Sequence, residues 1–455
     1  MFLHKVRSEG LAHLSYVVGD GGHAAVIDPR RDCDSYVEIA EREGCHITHI
    51  FETHRNEDYV VGSTALAVRT GADIYHGAQL DFEYGNAVSD GDTFELGDML
   101  LKVLHTPGHT MESISLALSD TGFGERAVGV FTGDVLFVGD VGRTDFFPER
   151  AEEVAAMLYD SIHEKLLPLG DGVILYPAHG SGSVCGDAMA SREFSTLGHE
   201  RECNPRLQLD RVEFVDFKVA EHHYQPPYFR KMEEFNLEGA PVLDNLPAAK
   251  PLPADEFAAV VEDGAMVLDL RSPEANGGAR LPGSLTIAMN MVASFAGWFL
   301  PYDRPVALVA DDPEDAPVAV RNLHRLGYDD IAGYLQDGLH GWEITGRKFE
   351  RIPQVTAQDL DRRIREGKEL TLLDVRKKSE FENGHLEGAV HIYVGELLDR
   401  IEEVPGERPV VTFCGSGRRA IIGASVLRRA GIEEVENCLG SMQACEALGC
   451  STATG

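Results

Sequence analysis

Four short segments concentrate residues able to hold a metal ion. They are Thr53-His-Arg-Asn-Glu-Asp-Tyr59, His105-Thr-Pro-Gly-His109, Thr132-Gly-Asp134 and Pro177-Ala-His179-Gly180. Together they offer imidazoles and carboxylates, a donor set that suits zinc and iron alike. A fifth segment, Val410-Val-Thr-Phe-Cys-Gly-Ser-Gly-Arg-Arg-Ala420, sets one cysteine in a glycine-rich loop with two arginines. Cys414 there precedes a helix pattern in which Ile421, Ala424 and Leu427 share a face and Gly431 is the stop. Loop N–H groups ahead of a helix form an anion nest, and Arg418 and Arg419 add positive charge. Both effects favour the thiolate, the nucleophilic form. A phosphate-encircling C-x-x-x-x-x-R loop is longer than the six residues from Cys414 to Arg419.

The elements that must position these residues are readable from pattern. Each metal-type segment directly follows a strand candidate, at 47–51, 100–104, 127–131 and 173–176. Strands that end at one sheet edge bring their following loops together. Residues 14–18 and 24–27 flank Gly19-Asp-Gly-Gly-His23 as a hairpin pair, and 33–43 reads as a helix burying Tyr36, Ile39 and Ala40. This mixture predicts a layered α/β or α+β domain over the first 200 or so residues. A proline-rich stretch, 237–253, reads as a linker with a boundary near 245–253.

Beyond the linker the chain repeats itself. Leu268-Asp-Leu-Arg271 matches Leu373-Asp-Val-Arg376, and Gly283 matches Gly388, both at an offset of 105. Val306-Ala-Leu-Val309 and Val410-Val-Thr-Phe413 are paired buried-strand candidates, and Arg-Leu-Gly327 and Arg-Ala-Gly431 close matching helices. Four ordered matches predict one duplicated α/β unit. At the position of Cys414 the first copy has Ala310, followed by Asp311-Asp-Pro-Glu-Asp315. That copy lacks the thiol, the glycine cradle and the arginine, and its acidic loop repels anions. It is expected to serve packing or docking.

Composition excludes several classes. The chain has 455 residues and a net charge of −34, which argues against nucleic-acid partners and anionic membrane surfaces. No apolar run is long enough for a membrane span, and the first residues carry no signal-like segment. Eight cysteines without a C-x-x-C pair predict reduced thiols and a cytoplasmic location. Cys203 is read as an ordinary thiol, with sulfur relay as its alternative.

Residues 1–245 resemble the metallo-β-lactamase superfamily in His54 and Asp58 of the T-H-x-H-x-D-H segment, His109 of H-T-P-G-H, Asp134 of G-D-x-L-F, and His179. The resemblance implies an αββα sandwich. In two-zinc hydrolases of this fold, His54, the residue at 56 and His109 hold one metal. Asp58, the residue at 59 and His179 hold the other, with Asp134 bridging. Here Asn56 and Tyr59 replace the two histidines, so each site loses one. What remains, His54, His109 and Asp134, is the trio with which the persulfide dioxygenase branch holds one Fe(II). Asp58 and His179 then support the ligands from outside. Val141-Gly-Arg-Thr-Asp145 is also similar to that branch, which implies that Arg143 holds the substrate.

Residues 355–455 resemble the rhodanese sulfurtransferases in Leu372-Leu-Asp-Val-Arg376, His385-Leu-Glu-Gly-Ala389 and the C-x-x-G-x-R loop. The resemblance implies that Cys414 carries a persulfide sulfur with Arg419 as its catalytic partner. Gly415, Ser416, Gly417 and Arg418 then form the substrate cradle. Residues 253–350 are the inactive copy.

The expectation is thus an α/β multidomain chain: a persulfide dioxygenase coupled to a sulfurtransferase. Glutathione persulfide or a similar persulfide is oxidised with dioxygen to sulfite, and sulfane sulfur moves through Cys414 to or from thiosulfate. One Fe(II) per chain is expected, with zinc the alternative, and a homodimer is the assembly kept open. Two other readings stay open: a mononuclear-zinc hydrolase of the glyoxalase II type with a rhodanese, and a metal-free scaffold in which only the rhodanese acts.

Overall fold

A computed structural model describes residues 1–183, 186, 188–243 and 245–454. The chain divides into two compact units, Met1–Leu246 with Arg325–Gly327, and Pro247–His324 with Tyr328–Gly455.

The first unit is built on two sheets. One has the order β1 (Phe2–Ser8), β2 (His13–Asp20), β3 (His23–Ile27), β4 (His46–Phe51), β5 (Asp73–Gly77) and β6 (Asn86–Val88). The other runs β11 (Ile174–Pro177), β10 (Ala127–Gly133), β9 (Ile114–Asp120), β8 (Met99–His105) and β7 (Thr93–Leu96). Side chains alternate across a strand, and β2 shows the result. Leu14, Tyr16 and Val18 pack with Leu101, Val103, Leu116 and Phe131 between the sheets. Val17 points the other way, toward Tyr36 and Ala40 of α1 (Asp34–Arg42) and Leu66 of α2 (Ser63–Thr70). On the outer side of the second sheet, Ala117 and Val130 meet Leu158 of α3 (Ala151–Asp160) and Phe214. Helices therefore cover both outer faces, giving an αββα sandwich.

Strand direction gathers the loops. β9 is antiparallel to both β8 and β10, so those two point the same way, and β11 is parallel to β10. The loops carrying His109, Asp134 and His179 therefore leave one edge of the sheet. The loop after β4 is drawn to that edge by Ile114 N, which donates to Thr53 O at 2.7 Å. Gly133 makes this approach possible. Its φ is +53°, and a Cβ there comes within 2.5 Å of Thr53 Oγ1.

The second unit holds two five-stranded parallel sheets. In order, the first is Pro251–Leu252, Ile331–Leu335, Val306–Val309, Met266–Asp269 and Leu285–Thr286. The second is Gln354–Thr356, Val435–Leu439, Val410–Phe413, Thr371–Asp374 and Val390–His391. The repeat seen in sequence extends to side chains. Arg271 donates from Nη2 to Asp269 Oδ2 at 2.7 Å and to Ala279 O at 2.8 Å. Arg376 does the same to Asp374 Oδ2 at 2.6 Å and Gly384 O at 2.7 Å.

The two copies also pack on each other. Thr286 N donates to Ser425 Oγ at 3.1 Å. Trp298 lies edge-on to Tyr393, with ring centroids 5.6 Å apart, and covers Gly395, where a Cβ would meet the indole at 2.7 Å. Trp298→Ala is expected to destabilise this unit by about 3 kcal/mol through lost burial and a cavity. Both tryptophans, Trp298 and Trp342, lie in the second unit. Urea unfolding followed by the fluorescence of Trp342 checks the prediction. A midpoint equal to that of the parent protein removes Trp298 as a clamp between the copies.

Candidate metal centre and cysteine loop

At the sandwich edge, one ligand atom each from His54, His109 and Asp134 lies within 4.8 Å of the others, and all three residues are buried. The distances from Asp134 Oδ2 are 3.8 Å to His54 Nε2 and 3.7 Å to His109 Nε2. Ring orientation is set from behind. Thr53 Oγ1 donates to Asp28 Oδ2 at 2.8 Å, so it accepts from His54 Nδ1 at 2.9 Å. His109 Nδ1 donates to Arg143 O at 3.0 Å. Each ring thus keeps its proton on Nδ1 and turns a lone pair on Nε2 toward the centre. Both Nε2 atoms are buried without a hydrogen-bonding partner. Orphaned, converging donors of this kind fit a metal ion.

Electrostatics point the same way. Burial raises the cost of ionising Asp134, yet His179, His54 and His109 together hold its carboxyl well below the usual range. Burial also opposes a charge on His109, but the facing Glu57 and Asp134 carboxylates outweigh it and push the ring up to about 9. The surroundings call for positive charge at this point.

Around a second metal position, the two residues that replace histidines are engaged otherwise, and His179 is flanked by carboxylates. His179 stands between two carboxylates, with Nδ1 2.7 Å from Asp134 Oδ1 and Nε2 3.1 Å from Asp58 Oδ2. Those carboxylates overcome burial and raise the ring well above its ordinary value. Asn56 Nδ2 donates to His54 O at 3.3 Å. Tyr59 packs on His13 with ring centroids 4.1 Å apart, and burial keeps its phenol protonated far above the usual range.

Arg143 differs from the sequence expectation of a substrate-holding cation. Its guanidinium forks onto Asp145 through Nε and Nη2, both at 2.7 Å, and Nη1 donates to Tyr224 O at 3.3 Å. The pairing outweighs burial and holds the Asp145 carboxyl at about 2. The charge is already neutralised inside the protein. What Arg143 supplies to the centre is its carbonyl, which aims His109.

In the second unit, the strand Val410–Phe413 delivers Cys414 to the mouth of the helix Arg418–Arg429. Gly417 N donates to Cys414 Sγ at 3.1 Å. Gly417 has φ +94°, the left-handed turn that bends the loop around the sulfur. Ser441 Oγ accepts from Cys414 N at 3.1 Å and donates to Cys438 O at 2.7 Å. Arg419 grips Glu380 with both terminal nitrogens, its Nη2 donating to Oε1 at 2.7 Å. Ser416 and Arg418 are exposed and line a cavity of about 660 Å³ with Gln443 and, from the first copy, Ser272, Glu274, Met289 and Asn290. The copy without a thiol therefore forms one wall beside the copy that has it.

The structure brings His54, His109 and Asp134 together with Asp58 and His179 behind them, and gathers Cys414 through Arg419 into one loop. Sequence reasoning missed Asp28 and Thr53 behind His54, Glu57 beside His109, and Glu380 and Ser441 around the cysteine loop. Thr53 and Glu57 stood inside a segment already singled out. Glu380 had no local signal, being 39 residues from Arg419. Cys203 ends the helix Leu197–Cys203 and is exposed, and Cys185 lies outside the described residues.

Residues 9–179 match the model of the metallo-beta-lactamase superfamily, and residues 356–448 match that of the rhodanese-like domain. The chain is 31% identical over 213 residues to the mitochondrial persulfide dioxygenase ETHE1 of Bos taurus, covering 44% of this chain and 74% of that protein. It is also 31% identical over 216 residues to the hydroxyacylglutathione hydrolase GloC of Haemophilus influenzae, covering 42% of this chain and 91% of that one. A crystal structure of a metallo-beta-lactamase from Staphylococcus aureus superposes with a TM-score of 0.67 at 32% identity. It covers 74% of this chain and 99% of its own.

The Arg419–Glu380 fork carries a prediction. Burial raises the Glu380 carboxyl, but Arg419 more than reverses this and holds it below its ordinary 4.5. The fork is therefore complete above that pH and is lost as pH falls through the depressed value. Glu380→Gln leaves the guanidinium unanchored, and sulfur transfer from thiosulfate to cyanide should fall on the order of tenfold. Steady-state kinetics at neutral pH check it, and an unchanged kcat rules out a role for the fork.

Proposed function

The chain belongs to the metallo-β-lactamase superfamily and carries a rhodanese-like domain behind that fold, and from this premise we propose a persulfide dioxygenase joined to a sulfurtransferase. The substrate class is a low-molecular-weight persulfide, with glutathione persulfide the type. Its terminal sulfur, dioxygen and one water yield sulfite, two protons and the parent thiol.

The observation that carries the reading is the buried trio of two imidazoles and one carboxylate. His54, His109 and Asp134 would hold one Fe(II), which would supply the redox chemistry between persulfide sulfur and dioxygen. The chain's own residues do the rest. Thr53 and the Arg143 carbonyl hold both imidazoles in the tautomer that presents Nε2. The His179 ring braces Asp134. Phe146 packs edge-on against His109, with centroids 5.4 Å apart, and shields that side from water.

In the second unit the Cys414 thiolate attacks the outer sulfur of the low-molecular-weight persulfide, the S–S bond breaks, the parent thiol leaves, and Cys414 holds the sulfane sulfur as a persulfide. Sulfite then attacks the outer sulfur, the S–S bond breaks, and thiosulfate leaves with Cys414 returned as thiolate. The reverse transfer uses the same residues. Gly417 N, donating to Sγ, stabilises the sulfur anion on either side of the exchange.

Likeness to hydroxyacylglutathione hydrolase supports a second reading, a one-zinc thioesterase on the same ligands. One experiment separates the two. The protein is purified anaerobically, iron and zinc are quantified, and glutathione persulfide is added in an oxygen electrode. We expect about one iron per chain, oxygen uptake and sulfite, with all three lost in His109→Ala. Zinc with no oxygen uptake, and turnover of S-lactoylglutathione instead, selects the thioesterase.

A further inference from the structure

Glu57 follows Asn56 in the loop that carries His54, and neither reading of the metal centre uses it. The residue is 2% exposed, and Oε1 lies 3.3 Å from His109 Nε2, the atom that faces the centre. The contact does not have hydrogen-bond geometry, since His109 Nε2 has no hydrogen-bonding partner. Two donors bound about 2.1 Å from one ion stand roughly 3.0–3.4 Å apart along a coordination edge. The Glu57–His109 separation is such an edge. We propose that Glu57 is a fourth protein ligand of the metal, entering from the His109 side where Asn56 offers no imidazole. The proposal rests on the reading of His54, His109 and Asp134 as ligands.

Charge supports the assignment independently of distance. A divalent ion buried with two neutral imidazoles and one carboxylate keeps an uncompensated positive charge, which is costly away from water. Asp134 and Glu57 together supply the two negative charges that balance it. The result is a two-histidine, two-carboxylate sphere. That is a harder donor set than the trio alone.

The test uses the full chain, stripped of metal and titrated anaerobically with Co(II). Affinity is read by chelator competition and the coordination sphere by visible absorption. Glu57→Gln keeps the size and removes the charge. It should bind Co(II) on the order of 100-fold more weakly and shift the d–d bands. Circular dichroism and sulfur transfer at Cys414 report that the variant is folded. A folded Glu57→Gln or Glu57→Ala with parental affinity and spectrum overturns the assignment. A crystal structure of the Co(II)-loaded parent decides without any variant. A Glu57 oxygen about 2.2 Å from the ion supports the proposal, and one beyond roughly 3 Å defeats it. His109→Ala is the control for the centre itself. Parental Co(II) binding there defeats the trio and Glu57 together, whereas its loss beside an unaltered Glu57→Gln defeats Glu57 alone.

Discussion

A carboxylate taken out of water stays ionised only when cations or donors surround it, and Asp134 is such a group. Three imidazoles face it, from His54, His109 and His179. Each arrives on a different loop, so the constraint reaches back into the fold. β8, β10 and β11 must point the same way for their loops to meet. Gly133 must lack a Cβ for the loop after β4 to close against them. The layer behind has its own cost to meet. Thr53 orients His54 because Asp28 holds its hydroxyl proton, and Arg143 orients His109 because Asp145 has fixed its side chain. The sandwich is a device for surrounding one anion.

The same constraint explains what the sequence revealed and what it hid. Strand candidates at 47–51, 100–104 and 127–131 fall within β4, β8 and β10, because alternation and β-branching are local signals. Post-strand loops could be read as ligand carriers for the same reason. Within a loop no period says where a side chain points. So the sequence singled out His54 and Asp58 while Glu57, between them, passed unread. Arg143 was read as a cation for the substrate, because its partner Asp145 acts through a rotamer that no spacing reports. The boundary after the linker shows the effect in the backbone. Pro251–Leu252 pairs with Ile331–Leu335, about eighty residues on, a partnership that no local pattern in the proline-rich stretch announces.

The duplicated unit separates what a frame needs from what a site needs. Both copies keep the Asp-x-Arg fork, with nearly equal distances, because it ties a strand end to the following helix turn. Only one keeps the glycine cradle. In the other, Asp311, Asp312 and Asp315 crowd one loop, and burial with mutual repulsion raises the Asp315 carboxyl. That segment is acidic where its counterpart carries Arg418 and Arg419. The first copy is still held by Trp298 over Gly395 and by Thr286 on Ser425. With Met289 and Asn290 it walls the cavity beside Arg418. Loss of the thiol left a surface whose shape the neighbouring copy uses.

The net charge of −34 opposes small anions only over a limited range. At physiological ionic strength an exposed charge is screened within about 8 Å, so a sulfite or thiosulfate ion at the cavity mouth senses the loop and little else. Arg419 contributes geometry more than attraction there, because Glu380 cancels its charge and holds it rigid. The attraction comes from exposed Arg418 and from backbone N–H groups such as that of Gly417, whose dipoles are fixed by the loop itself. Fixed dipoles need no reorganisation as charge moves between sulfur atoms. A thiolate on Cys414 and a small anion beside it can therefore be stabilised in turn by the same atoms.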